Sequence, residues 1–343
     1  MIAAALPLMI GLAVPGISSA SSPLRYYVAL GDSYSSGNGL APALAGSGAC
    51  ARSLAAYPEL VATRLKIAKL DFLACSGATI AQVASQVGRA RGEIAQAKLV
   101  TLTAGGNDLP FTGLSEACIG LVASVSSTSI RYVPGVSGVE FCNGAVSKAV
   151  ALLGGQFNSA TGSVSANPVT LNATLVHPSI VEQRLNALYL KVLESEATPK
   201  GVRTGTQLVV VQYPTLLSTS GTGNCLLSSA PIDLPVQTVV NGLYPGFTGR
   251  AAQELIAVNR LLAGETAAVV ANLRRLGYSR ISVALPPSSF ASLDCQTGSS
   301  SDLNGIVLTA TSSGLDNNSL HPTPAGHALI AAGVIAQWHA TGN

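Results

Sequence analysis

Four short stretches of the sequence carry residues suited to acyl transfer: "GDSYSSG" (31–37), "CSGAT" (75–79), "GGND" (105–108) and "LHPTPAGH" (320–327). The first supplies Ser33, a weak nucleophile until a base removes its proton, and the last supplies His321 as that base. Attack on an acyl group places negative charge on the former carbonyl oxygen, which needs preorganised donors. The backbone N–H groups of Ser33 and Gly77 and the side-chain amide of Asn107 are candidate donors. These four residues form the predicted catalytic set.

The segments around these residues predict alternating strands and helices. Apolar runs that predict strands lie at 25–31, 69–75, 97–108, 206–214 and 279–286, the third running into a glycine turn. The last helix begins after Thr323, which can cap it, with Pro324 at its first position. Five such strands alternating with helices predict a doubly wound α/β/α sandwich with a parallel sheet. Ligands bind at the carboxyl ends of its strands, where the four stretches stand.

The four stretches resemble, in residue type and order, the four blocks of the SGNH hydrolases, also called GDSL lipases and esterases. The matching residues are Ser33 in "GDSYSSG", Gly77 in "CSGAT", Asn107 in "GGND" and His321 in "LHP". Tyr34 takes the place of the family's usual leucine, as in the branch of secreted actinobacterial lipases, esterases and phospholipases that this chain most resembles. The resemblance runs from about Tyr26 to the C-terminus. It implies a flavodoxin-like three-layer fold with a mainly parallel five-stranded sheet, three disulfides paired in sequential order, and hydrolysis of carboxylic esters without a cofactor.

The sequence departs from this family three residues before the histidine, where most members carry an aspartate and this chain carries Asn318. An amide oxygen can accept a hydrogen bond from the imidazole ring but brings no charge to stabilise imidazolium. Three interpretations follow. His321 is held by a backbone carbonyl of the 316–320 loop, by Asn318, or by Asp316, and we rank them in that order because a loop carbonyl is close whatever the sequence.

Six cysteines form an even set without a Cys-x-x-Cys pair, which favours disulfides in an oxidising compartment over zinc. Six cysteines allow 15 pairings. We prefer the sequential one, because it closes the shortest loops for the first two bridges, and the family resemblance implies it too. The cysteines are Cys50, Cys75, Cys118, Cys142, Cys225 and Cys295.

The composition favours secretion and excludes nucleic acid as a partner. Only 10% of the 343 residues are charged, and 19 Lys and Arg against 16 Asp and Glu leave no basic run to neutralise phosphates. The first twenty residues, apolar with a small-residue end, predict a cleaved signal peptide. We expect one domain over 21–343. The stretches 113–175 and 215–247 break the alternation, and we interpret them as loops stapled by disulfides.

Several residues near the predicted site also have a structural interpretation. Serine is common as a helix cap, so Ser33 is assigned as nucleophile only because the other three blocks accompany it. Asp32 and Asp108 are expected to tie loops rather than act as acids. His327 is expected to be packed in the last helix, and no cluster of carboxylates or histidines predicts a metal. His177, His339 and Trp338 receive no catalytic role.

The sequence thus predicts a secreted serine esterase or lipase, possessing no cofactor, in which Ser33 forms an acyl-enzyme and His321 is the base. Its partners would be small-molecule or lipid esters, with transient contact with lipid surfaces, and the protein would be a monomer. An acyltransferase with the same acyl-enzyme is the alternative enzyme. A catalytically inactive binding module on the same fold is the alternative from another class, motivated by Asn318.

Overall fold

The computed structural model describes residues 26–109, 118, 120–126, 129–133, 139–166, 178–195, 205–218, 225–227, 243–306 and 318–342. The predicted signal peptide, His177 and Asp316 lie outside these residues. The division into a signal peptide and one domain therefore stays a prediction.

Five strands form the parallel sheet that the sequence predicted, in the order β12-β8-β3-β1-β2. Each lies inside a segment predicted as a strand, so the number of strands and their parallel arrangement are confirmed. The strands of the described residues are β1 (Tyr26–Leu30), β2 (Lys69–Phe72), β3 (Leu99–Leu102), β4 (Gly120–Ser126), β5 (Ser129–Val133), β6 (Gln156–Asn158), β7 (Ser163–Ser165), β8 (Gln207–Val211), β9 (Leu217–Ser218), β10 (Cys225–Leu226), β11 (Leu243–Phe247), β12 (Ile281–Ala284) and β13 (Leu293–Asp294).

Helices connect these strands. The last helix begins with the capping residues that the sequence predicted. Gly326 N–H donates to Thr323 Oγ1 at 3.2 Å, and Pro324 takes the first helical position, as predicted. The helices are α1 (Ser33–Ser36), α2 (Tyr57–Arg64), α3 (Ile80–Arg89), α4 (Arg91–Ile94), α5 (Val139–Leu152), α6 (Ile180–Glu194), α7 (Gly249–Arg275) and α8 (Pro324–Ala340), with a 3₁₀ turn at Gly48–Cys50.

The parallel sheet is covered on both faces, which explains its uninterrupted apolar strands. Along β1, Val28 and Leu30 belong to the core cluster that also contains residues of α3, α6 and α7. Tyr27 and Ala29 belong to the opposite cluster, formed with α2 and α8 and including the buried Trp338. Because successive side chains of a strand point to opposite faces, this division defines three layers. The predicted three-layer α/β/α fold is confirmed.

The two stretches interpreted as loops contain regular structure, so that interpretation was incomplete. Helix α5 and the strands β4 to β7 lie within 113–175, and β9, β10 and β11 lie within 215–247. Strands β10, β11, β4 and β5 form an antiparallel sheet that joins the two stretches. Short strands whose partners are distant in sequence give a weak local pattern, which is why composition alone missed them.

Three disulfides are present, and they pair the six cysteines in sequential order as predicted. They join Cys50 to Cys75, Cys118 to Cys142, and Cys225 to Cys295. The first bridge fixes the segment that follows β2, where Ser76 N–H also donates to the Cys50 carbonyl at 3.0 Å. That segment carries Gly77, so this bridge supports the candidate site directly.

Two glutamate side chains of neighbouring helices, Glu182 on α6 and Glu265 on α7, are buried beside one cavity that Arg260 also lines. Glu182 accepts a hydrogen bond from Ser179 N–H at 2.9 Å. Burial raises the pKa of Glu265 to about 8, the Ser179 side chain favours the charged form of Glu265 and so lowers its pKa, and the Glu182 carboxylate adds to the rise. Glu265 is therefore mainly protonated at neutral pH.

We expect the substitution Glu265→Gln to change how stability depends on pH. The folded state holds this proton more tightly than the unfolded state, so the stabilisation by protonated Glu265 is present below about pH 4.5 and is lost as the pH rises towards about 8. Glutamine is neutral throughout. The variant should gain stability relative to the wild type, by up to about 1.4 kcal/mol per pH unit in this window. Urea unfolding at several pH values measures the difference, and a difference that stays constant with pH contradicts it.

Candidate active site

Ser33 stands at a fixed turn directly after the carboxyl end of β1. Gly31 has a φ of 125°, and a Cβ there would come within 2.8 Å of the Thr103 backbone, so the turn requires glycine. Gln86 of α3 holds Gly31 from both sides, accepting from its N–H at 2.8 Å and donating to its carbonyl at 2.9 Å. Ser33 is half-buried, and its Oγ forms no hydrogen bond with the described residues.

The residue before Ser33 is a buried carboxylate that joins three parts of the sheet edge. Asp32 is 1% exposed and accepts hydrogen bonds from Tyr34 N–H at 3.0 Å, from Thr103 Oγ1 at 2.6 Å and from the Tyr213 hydroxyl. The Tyr213 hydroxyl in turn accepts from Gly106 N–H at 3.1 Å. Burial raises the pKa of Asp32, and its donors oppose the rise. Asp32 caps α1, in agreement with its expected role in tying a loop.

Gly77 and Asn107 follow β2 and β3, the two strands that flank β1. Gly77 has a left-handed φ of 77°, and Asn107 Nδ2 donates to the Ala78 carbonyl at 3.1 Å, which links the two blocks. Asp108 accepts from Ile80 N–H at 2.7 Å and so fixes the start of α3, as expected of a loop-tying carboxylate. Because neighbouring strands lie about 4.8 Å apart, the Ser, Gly and Asn blocks meet at one edge of the sheet.

His321 lies in a turn that precedes α8. Asn304 holds this turn, since its backbone N–H and its side-chain amide donate to the His321 carbonyl at 2.9 and 3.1 Å. Leu320 has a left-handed φ of 59°, and this bend brings the His321 Nδ1 to 3.0 Å from the Ser319 carbonyl. The tautomer with its proton on Nδ1 donates to this carbonyl and keeps a lone pair on Nε2.

The contact with Ser319 corresponds to the first of the three interpretations made for the orientation of His321, a backbone carbonyl of the 316–320 loop. The Asn318 amide lies against the backbone of Gly39, where an added Cβ would overlap it. Asp316 lies outside the described residues. The geometry therefore favours the Ser319 carbonyl, and this contact requires no particular side chain.

Tyr34, directly after Ser33, links the serine turn to the histidine turn. Its hydroxyl donates to the Leu320 carbonyl at 2.5 Å, and its ring centroid lies 5.2 Å from that of His321. Its ring also makes an edge contact with Tyr213, with centroids 5.1 Å apart. No hydrogen bond joins Ser33 to His321 within the described residues. Such bonds are often long before substrate binds. The evidence that Ser33 and His321 lie near each other is therefore Tyr34, which follows Ser33 in sequence and contacts the histidine turn.

The remaining histidines and acids of the described residues do not form a second site. His327 is fully buried and its Nδ1 accepts from Tyr57 N–H at 3.1 Å, while burial lowers its pKa to about 3. It is a packed histidine, as expected. The described residues contain no group of three or more His, Cys, Asp or Glu side chains that could hold a metal ion.

Sequence reasoning missed the residues that hold Gly31 and Asp32, the two residues before Ser33, by hydrogen bonds. These are Tyr213, Thr103 and Gln86. Tyr213 had a usable signal, because it follows β8 at the same edge of the sheet as the four blocks. Thr103 follows β3 in the same way. Gln86 lies inside an amphipathic helix, where nothing in the local pattern distinguishes it from a surface residue.

Solved structures share this arrangement of strands and helices. The phospholipase A1 from Streptomyces albidoflavus NA297 matches with a TM-score of 0.60 and 24% identity, over 92% of this chain and 99% of that chain. The extracellular lipase from Streptomyces rimosus matches with a TM-score of 0.56 and 21% identity, over 91% and 99% of the two chains. At these identities the likeness defines the fold alone, a three-layer α/β/α sandwich.

Part of the chain also matches a family model and two curated lipases. Residues 29–173 match the model of the GDSL-like lipase/acylhydrolase family, which confirms the predicted resemblance to the SGNH hydrolases. A lipase from Streptomyces rimosus is 41% identical over 120 residues, 34% of this chain and 44% of that protein. Lipase 1 from Streptomyces coelicolor is 42% identical over 93 residues, 27% and 34% of the two chains. The matched segment spans less than half of either relative.

We expect Tyr34→Phe to slow the reaction of Ser33 with a fluorophosphonate by about tenfold, because it removes one hydrogen bond to the histidine turn while keeping the ring. Mass spectrometry of the labelled protein measures the rate. Tyr26→Phe is the matched control, since Tyr26 begins β1 at the far end of the strand from Ser33. Equal labelling rates for Tyr34→Phe and the wild type would show that Tyr34 does not position His321.

Proposed function

We propose that the protein is a secreted serine hydrolase of carboxylic esters, with lipid esters as its substrate class. The observation that carries this proposal is the meeting of the Ser33, Gly77 and Asn107 blocks at one sheet edge, beside a His321 ring held by the Ser319 carbonyl. The matched lipases support ester hydrolysis. No cofactor is needed for this chemistry.

In the acylation step, His321 Nε2 takes the proton from Ser33 Oγ while Oγ bonds to the ester carbonyl carbon. The electron pair of the carbonyl moves to its oxygen, where the N–H groups of Ser33 and Gly77 and the Asn107 amide hold the charge. The carbonyl then re-forms and the bond to the alcohol breaks. The leaving alcohol receives the proton from His321, and the acyl group remains on Ser33.

Water completes the cycle by the same route. His321 removes a proton from water as its oxygen attacks the acyl-enzyme, and a second oxyanion forms in the same place. Its collapse breaks the bond to Ser33 Oγ, which regains the proton from His321 as the free acid leaves. The Ser319 carbonyl keeps the ring in one tautomer through both steps, but being neutral it stabilises imidazolium less than a carboxylate would.

Secretion is supported by three disulfides and by the apolar leader of the sequence. Within the described residues, every helix is too short or too polar to cross a membrane. The expected monomer and its transient contact with lipid surfaces belong to the same proposal.

We expect Ser33→Ala to lower the hydrolysis of a chromogenic short-chain ester by at least about 10⁴-fold, because the acyl-enzyme cannot form. Titration of the released acid measures the rate, and Ser85→Ala, an exposed serine of α3, is the control. Turnover that survives Ser33→Ala would refute the assigned nucleophile. If added alcohol yields a new ester in place of free acid, the protein is an acyltransferase. A wild-type Ser33 that no fluorophosphonate labels would favour the inactive binding module.

The orientation of His321 is tested by the paired variants Asp316→Ala and Asn318→Ala. With the Ser319 carbonyl as the orienting group, each variant should retain kcat within about threefold of the wild type, because neither removes that contact. The kcat of each purified variant is measured on the same ester. A loss of about a hundredfold or more in one of them would identify that side chain as the orienting group instead.

A further inference from the structure

A cleft of about 560 Å³ lies between α3 and α6, and Asn107, one of the proposed oxyanion donors, lines it. Asp108 also lines it, together with Thr79 and Ile80, which follow Gly77 by two and three residues. Clefts of this size commonly hold small ligands. The apolar part of the lining consists of Ile80, Ala81, Ala84, Ala187 and Leu188.

The α6 wall of this cleft carries two cations, Arg184 and Lys191. They are seven residues apart, two helical turns or about 10 Å, and so lie on one face of the helix. Only 10% of the chain is charged, which makes two cations on one cleft wall a distinct feature. With Asp108 as the acidic side chain among the lining residues, the cleft has a net positive charge.

Both cations retain hydrogen-bond donors that the described residues do not use. The Arg184 side chain is 54% exposed, and its guanidinium contacts Asp108 Oδ1 alone, at a long 3.4 Å. Lys191 Nζ donates to the Ala84 carbonyl at 2.7 Å, which leaves two of its three N–H groups. Arginine forms paired hydrogen bonds with phosphate oxygens, and lysine adds a point charge.

We propose that this cleft binds the phosphodiester group of an anionic glycerophospholipid, with Arg184 donating to the phosphate oxygens and Lys191 adding positive charge. The inference rests on the proposed ester hydrolysis. In such a lipid the ester and the phosphate are attached to one three-carbon unit, so both lie within a few bonds. Arg184 contacts Asp108, the neighbour of Asn107, and is therefore placed to hold the phosphate while Asn107 holds the ester oxyanion.

The selectivity test compares phosphatidylglycerol with diacylglycerol of the same acyl chains, each in the same neutral detergent micelles. In the double variant Arg184→Gln, Lys191→Gln, the ratio of the KM for phosphatidylglycerol to the KM for diacylglycerol should rise about tenfold. Arg184→Lys should recover part of the difference, and Lys148→Gln, which removes one positive charge from an exposed position on α5, is the control for loss of surface charge. An unchanged ratio would overturn the proposal.

A binding test separates this proposal from the proposed function. Micelles that contain a non-hydrolysable diether phosphatidylglycerol should bind the wild type about tenfold more tightly than the double variant. If the wild type hydrolyses neither ester but shows this difference, ester hydrolysis fails and the lipid site stands. Equal binding by both proteins overturns the site. Glycerol 3-phosphate should compete weakly, and displacement as effective as that by the lipid would assign the cleft to free phosphate instead.

Discussion

The hydrogen bonds to the buried Asp32 carboxylate are the constraint on which the candidate site depends. A buried charge without donors is unfavourable by several kcal/mol, so the fold must bring donors to it. Those donors come from Tyr34 in α1, from Thr103 after β3 and from Tyr213 after β8. Three separate segments are therefore held at one point, directly beneath Ser33. Moving any one of them away would remove a hydrogen bond from a carboxylate that is only 1% exposed.

The histidine turn is held to this point by a different set of contacts. Leu320 adopts a left-handed conformation, which is unfavourable by about 1 kcal/mol or more for a residue with a side chain. Hydrogen bonds from Asn304 and Tyr34 offset this strain, and the bend brings the Ser319 carbonyl to the ring of His321. Strain at this position thus accompanies the placement of the His321 ring. Tyr34 is essential to both arrangements, because its N–H bonds Asp32 and its hydroxyl bonds the histidine turn.

The sequence predicted those parts whose signal is local. A parallel strand buried on both faces is a continuous apolar run, so all five strands were found, and the blocks that follow them located Ser33 and Asn107. The antiparallel sheet was missed because β4 and β11 are far apart in the chain and lie in segments of mixed composition. The sequence could predict that a backbone carbonyl of the loop holds His321, but it could not predict that this carbonyl belongs to Ser319. The backbone bend at Leu320 determines which carbonyl reaches the ring. Tyr213 was missed because none of the four catalytic blocks follows β8, the strand that it follows.

Asp32 is the acid nearest to Ser33 in sequence, yet it cannot replace the aspartate that the family usually places before its histidine. Its oxygens already accept from Tyr34 N–H, Thr103 and Tyr213, and breaking any of these bonds to reach His321 would leave a buried donor unpaired. In the proposed mechanism the imidazolium therefore forms beside a neutral carbonyl. The negative charge that balances it is then the oxyanion itself, held by Ser33, Gly77 and Asn107. The donors stabilise the oxyanion, and the oxyanion in turn attracts the imidazolium, so the placement of these donors matters more here than in a site with its own carboxylate.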